Sequence, residues 1–144
     1  MRVDYLLDTN VLMHIVNDER KLRKIDKMID KVGLGGIFVS SITVYEVHAK
    51  LFKAKVGKVK LDALANALKS FKVVNFNAAA AIAAAKVRVD LENIGEPIGH
   101  PDQMLAGQAK AIKALLVTNN TKHFKQIHGL KIVDWTAYSK SQSS

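Results

Sequence analysis

Five short apolar runs containing β-branched residues, at 3–7, 36–40, 72–76, 115–118 and 131–134, are separated by stretches of helical periodicity. This alternation is the tightest constraint on the chain. Strands joined through helix-length connections cannot close as hairpins. They pair in parallel, by crossovers that lay helices on the sheet. The expected fold is therefore α/β, a sandwich of helices around a central, mostly parallel five-stranded sheet.

Helices are predicted at 11–15, 20–32, 42–54, 60–71 and 78–93, with another after Pro101 and a short one at 121–127. Leu22, Ile25, Met28 and Ile29 share one face of the second helix, with basic residues on the other. Asn77 is placed to cap the alanine-rich helix and Gly95 to close it. Neither repeats nor a linker interrupt the chain, so one domain is expected over residues 1–138, with a polar, frayed tail (SKSQSS) at 139–144. The start, MRVDYLLD, lacks the apolar core of a signal peptide, and the alanine run at 78–85 is too short to span a bilayer. The expectation is a cytoplasmic protein with no membrane partner.

Composition narrows the function. No cysteine is present, which excludes disulfides and thiolate metal sites. The formal charge of +9 favours a polyanion or an acidic protein as partner. Two clusters carry much of that charge: Arg20, Lys21, Arg23, Lys24 and Lys27, and the stretch KLFKAKVGKVK, in which Lys50, Lys53 and Lys55 are candidates for binding RNA. Taken singly, either cluster is more simply a solvated helix face.

Of thirteen acidic residues, three stand in apolar surroundings: Asp8 in YLLDTNVL, Glu46 in FVSSITVYEV and Asp102 in PIGHPDQMLAG. Asp8 follows the first strand, Glu46 lies on the helix after the second, and Asp102 opens a later helix. In a parallel sheet the ligand site lies at the carboxyl ends of the strands, where strand order reverses. All three acids can reach that edge. Three adjacent carboxylates repel unless protons or cations intervene, and a hard divalent ion is the natural compensation. Such a site suits phosphodiester hydrolysis. Each acid also has a structural alternative. Asp8 can cap the helix beginning near Asn10, and Asp102 can sit at a helix amino terminus beside Pro101. Glu46 can complete a capping box with Thr43, with Ile42 and Val47 as the hydrophobic staple.

Taken in order, DTN at 8–10, SSITVYE at 40–46, GEPIGHPDQMLAGQA at 95–109, VTNNTKHF at 117–124 and the closing DW at 134–135 resemble PIN-domain proteins. More narrowly, they resemble the VapC toxins of VapBC toxin–antitoxin modules. The resemblance covers residues 5 to 135 and implies a PIN-like fold. It also implies a Mg²⁺- or Mn²⁺-dependent endoribonuclease, acting on RNA that includes tRNA, forming a homodimer and silenced by a cognate VapB antitoxin. By motif position Asp8, Glu46 and Asp102 match the family's metal-binding acids. Asn120 falls where many relatives carry a fourth acid and joins the catalytic set without charge. Thr9, Ser41 and Thr118 are expected as hydroxyls supporting the acids. The pattern is broken at three places: His123 replaces a common acid, Gln108 replaces a common His, and His100-Pro101 replaces Pro-Phe. His123 is expected as an unpaired, exposed or RNA-facing residue at the rim.

Two other functions fit parts of the sequence. One is a non-catalytic PIN-like module that only binds RNA or protein. The other is a phosphatase using Asp8 as nucleophile, which the Asn at position 10 and the lack of a lysine partner motif disfavour.

Overall fold

The computed structural model describes residues 3–17 and 19–136; Asp18 and the tail expected at 139–144 lie outside them. Five strands, β1 (Tyr5–Leu7), β2 (Ile37–Ser40), β3 (Lys72–Val74), β4 (Leu115–Val117) and β5 (Ile132–Val133), form one sheet in the order β3-β2-β1-β4-β5. Every pairing is parallel, so the sheet is wholly rather than mostly parallel. The third and fifth strands are shorter than the sequence suggests. Asn75 and Phe76 leave the ladder, and the Phe76 N–H donates instead to Ser41 Oγ at 3.0 Å.

The helices are α1 (Thr9–Asn17), α2 (Glu19–Val32), α3 (Ser41–Lys53), α4 (Lys58–Ser70), α5 (Ala78–Asn93), α6 (His100–Ala111) and α7 (Thr121–Phe124). Neighbouring strand residues point to opposite faces, which explains the two cores. Leu7, Val39 and Val117 pack with Leu12, Ile25, Val47 and Leu64 from α1 to α4. Leu6 and Leu116 pack with Val87, Leu91, Leu105 and Ala109 from α5 and α6. Both faces are covered, as a parallel sheet requires. Among the described residues no helix is long and apolar enough to cross a membrane.

Helix ends follow local chemistry. Asn77 Oδ1 accepts the Ala80 N–H at 3.0 Å, and Gly95 closes α5 with φ +70°. The expected capping box at Thr43 and Glu46 does not form. Ser40, at the end of β2, is the cap of α3 and accepts the Ile42 N–H at 3.0 Å, so the helix has already begun at Thr43. Glu46 is thereby released from a capping role.

Two lysines occupy the left-handed position that glycine usually fills after a helix: Lys55 (φ +53°) after α3 and Lys113 (φ +58°) after α6. At the second, Ala114 N–H reaches back to Ala109 O at 2.9 Å, a six-residue closure that fixes the turn. Lys113→Gly should therefore stabilise the fold by about 0.5–1 kcal/mol, since relief of the Cβ clash exceeds the added chain entropy of glycine. Urea unfolding measures it, and an unchanged or lower midpoint would contradict it.

Candidate active site

The chain passes from central β1 to β2 and β3 on one side, then returns to β4 on the other. The reversal therefore lies between β1 and β4. Leu7 pairs with Val117, so the next residue on each strand, Asp8 and Thr118, stand level at the carboxyl ends. Asp8 N–H donates to Val117 O at 2.9 Å, holding the two strand ends together.

Asp8 is 3% exposed, and both its oxygens are engaged. Oδ1 accepts the Thr9 N–H at 2.7 Å, and Oδ2 accepts the Thr118 hydroxyl at 2.8 Å. Thr118 Oγ1 in turn accepts the Asn120 N–H at 3.0 Å, which orients the hydroxyl toward Asp8. Asp8 also stands at the head of α1, where its main-chain carbonyl accepts from Val11 and Leu12. The helix-start role and the site role thus coexist in one residue. Burial above all pushes the Asp8 carboxyl upward, and the Asp102 charge adds to it; the Thr118 and Thr9 hydrogen bonds and the Lys50 ammonium pull the other way. A carboxylate this buried, with each oxygen already accepting one hydrogen bond, is poorly presented for in-line attack on phosphorus, which argues against an aspartyl-phosphate mechanism.

Asp8, Glu46 and Asp102 line one open pocket of about 240 Å³, with Thr9, Asn10, Lys50 and Pro101 completing its wall. Asp102 stands in the first turn of α6, whose cap is Gly99, where the helix dipole favours its charge. Glu46 is half-buried on α3. Among the described residues no three acidic or histidine side chains converge into a ready-made metal cage. The acids surround the pocket instead, as mutual repulsion dictates. The donor set is carboxylate and amide oxygen with no sulfur, and so fits a hard divalent ion that keeps part of its water shell.

The other expected residues divide. Thr9 and Thr118 lie beside Asp8. Asn120 is not part of the pocket wall; it caps α7 and acts on Asp8 through its own N–H and Thr118. Ser41 is spent on the Phe76 N–H and does not line the pocket. Of the three lysines proposed for RNA, Lys50 enters the pocket, with its Nζ 3.4 Å from Asn10 Oδ1, while Lys53 and Lys55 are exposed beyond it. Glu46 and Lys50 stand four positions apart on one helix, a spacing that could have placed the lysine there.

His123 is exposed as expected, but it is not unpaired: its Nδ1 lies 3.2 Å from Asp102 Oδ2. The pair joins α6 to α7, and no spacing in the sequence announces it. Gln108 is buried away from the pocket, where its Nε2 donates to Asn75 O at 3.1 Å and ties α6 to the segment after β3. Trp135 of the closing motif is a core residue, its ring centroid 5.2 Å from that of Tyr5 and tilted 53° to it.

The PIN domain model matches residues 5–130. A tRNA(fMet)-specific endonuclease VapC of Shigella flexneri is 30% identical over 92% of this chain and 98% of its own length. Among solved structures, VapBC2 from Rickettsia felis bound to a DNA fragment from its promoter superimposes with a TM-score of 0.81 at 29% identity, covering 92% of this chain and 99% of that one. VapBC-1 from nontypeable Haemophilus influenzae gives a TM-score of 0.81 at 26% identity, covering 94% and 100%.

Proposed function

Because the chain belongs to the PIN-domain family, within its VapC branch, we propose that it is a Mg²⁺- or Mn²⁺-dependent endoribonuclease toxin, held silent by a VapB-type antitoxin. One observation carries the reading: Asp8, Glu46 and Asp102 border a single pocket at the reversal point of the sheet. The bound ion would neutralise these acids and polarise the phosphodiester. Thr118 and the Thr9 N–H fix the Asp8 carboxylate on the pocket wall, with one hydrogen bond to each oxygen. His123 holds one oxygen of Asp102 and leaves the other available. Lys50, beside the acids, attracts a phosphate that they would otherwise repel, and Lys53 and Lys55 extend that positive track outward.

A tRNA is the substrate class suggested by the endonuclease from Shigella flexneri. The relatives solved as VapBC complexes support an antitoxin partner for this chain. Tyr45 and Phe52, two turns apart on α3, and Val59 on α4 are 70%, 62% and 83% exposed and offer apolar surface to an antitoxin. The homodimer remains part of the same proposal.

Cleavage of total RNA by the purified protein in Mg²⁺, followed by mapping of the new ends, tests it. Discrete cleavage sites that vanish in chelator are expected. RNA bound equally well in chelator and Mg²⁺, and left uncut in both, would instead make the chain a binding module.

A further inference from the structure

A second cavity lies at the opposite end of the sheet from the candidate active site. About 710 Å³ in volume, it opens between the starts of β1, β4 and β5 and the end of α6. Its wall carries three lysines, Lys110, Lys113 and Lys131, and one carboxylate, Asp4. The backbones of all three are hydrogen-bonded in the turns and the sheet, but none of their ammonium groups has a hydrogen bond or ion pair among the described residues. Val3, Ile112 and Leu130 add apolar wall between them.

Two features of the backbone bear on this cluster. Lys113 is the residue held with φ +58°, in a turn where glycine would be relaxed. A strained cation retained at a cavity mouth is a hint of use rather than of packing. Gly129, with φ +78°, brings the chain close beneath Lys110: a Cβ built there would lie 3.8 Å from Lys110 Nζ.

We propose that this cavity is a second site, one that binds the phosphate of a nucleotide. Three ammonium groups suit a phosphate's oxygens as point charges, and the apolar wall suits a base or ribose. The volume falls in the range of small-molecule sites. The nucleotide can be free, or one unit of an RNA strand that reaches round from the opposite edge.

Full-length protein is titrated with 5′-AMP by calorimetry, and with a short fluorescent RNA in chelator by anisotropy. Three proteins are compared: wild type, the cavity variant Lys110→Gln/Lys113→Gly/Lys131→Gln, and an equal-charge control, Lys58→Gln/Lys60→Gln/Lys69→Gln, on α4. Thermal unfolding checks that each is folded. The expected result is AMP or RNA binding weakened about tenfold or more in the cavity variant and little in the control. Loss confined to AMP identifies a free nucleotide as the ligand; loss confined to RNA identifies the strand. Both ligands bound alike by the cavity and control variants, or no binding of either up to about 10 mM, would overturn the proposal.

Discussion

Asp8→Asn should lower RNA cleavage by about a hundredfold or more while leaving the fold intact. The amide fits the same hydrogen bonds: its oxygen takes the Thr9 N–H, and its NH₂ donates to Thr118 Oγ1, which now accepts where it had donated. What disappears is a buried negative charge. In the folded protein the Asp8 carboxyl is shifted upward by burial and by Asp102, so the native state binds its proton more tightly than the unfolded chain. The stability linked to that proton is present at low pH and is lost as pH rises from the unfolded value through the folded one. At neutral pH and without metal, Asp8→Asn should therefore melt no lower than wild type, and the two curves should converge as the pH falls. A purely structural Asp8 predicts the reverse, with activity kept and stability lost. Melting profiles across pH, paired with cleavage assays, separate the two.

Gly107→Ala should be the most damaging single change in the scaffold. A Cβ at this position would lie 2.3 Å from the Ala84 nitrogen and 2.4 Å from its Cα, both backbone atoms of α5. No side-chain rotation relieves that contact, so α5 and α6 must separate. The expected cost is about 3 kcal/mol, or roughly 10 °C in melting temperature. Gly57→Ala is the matched comparison. Its new Cβ meets nothing within 4 Å and its φ is −79°, so the change should be nearly silent. Equal melting of the two variants would mean that α5 and α6 are not held at glycine distance. Because α6 carries Asp102, a partly folded Gly107→Ala protein should also lose activity.

Asp8 and Glu46 are legible in the sequence because each lies within a few residues of a strand end, and strand ends are what apolar runs reveal; Asp102, far from any strand end, is placed only by the helix start beside Pro101. Asp8 follows β1 directly, and Glu46 comes one and a half turns into α3. Parallel pairing then sends both to the same edge whatever the strand order. Contacts between distant segments carry no such signal. His123 meets Asp102 across 21 residues of helix, strand and turn, and nothing in KHF specifies the partner. The capping box failed for a local reason: Ser40 and Thr43 both have a hydroxyl to offer, and β2 ends early enough for Ser40 to take the role. Thr43, passed over, is buried with its hydroxyl unpaired among the described residues. Glycine at 107 reads in sequence as a weak helix residue; only the approach of Ala84 explains it.

Asp8, Glu46 and Asp102 are expected together to hold a divalent ion at the mouth of the sheet. Titration of Mn²⁺ into the purified protein, followed by electron paramagnetic resonance of the free ion, measures this without reference to RNA. Wild type should bind Mn²⁺ in competition with Mg²⁺, and Asp8→Asn, Glu46→Gln and Asp102→Asn should each weaken that binding by about 10- to 100-fold. Mn²⁺ binding of equal strength in wild type and all three variants would mean that these acids do not form an ion site.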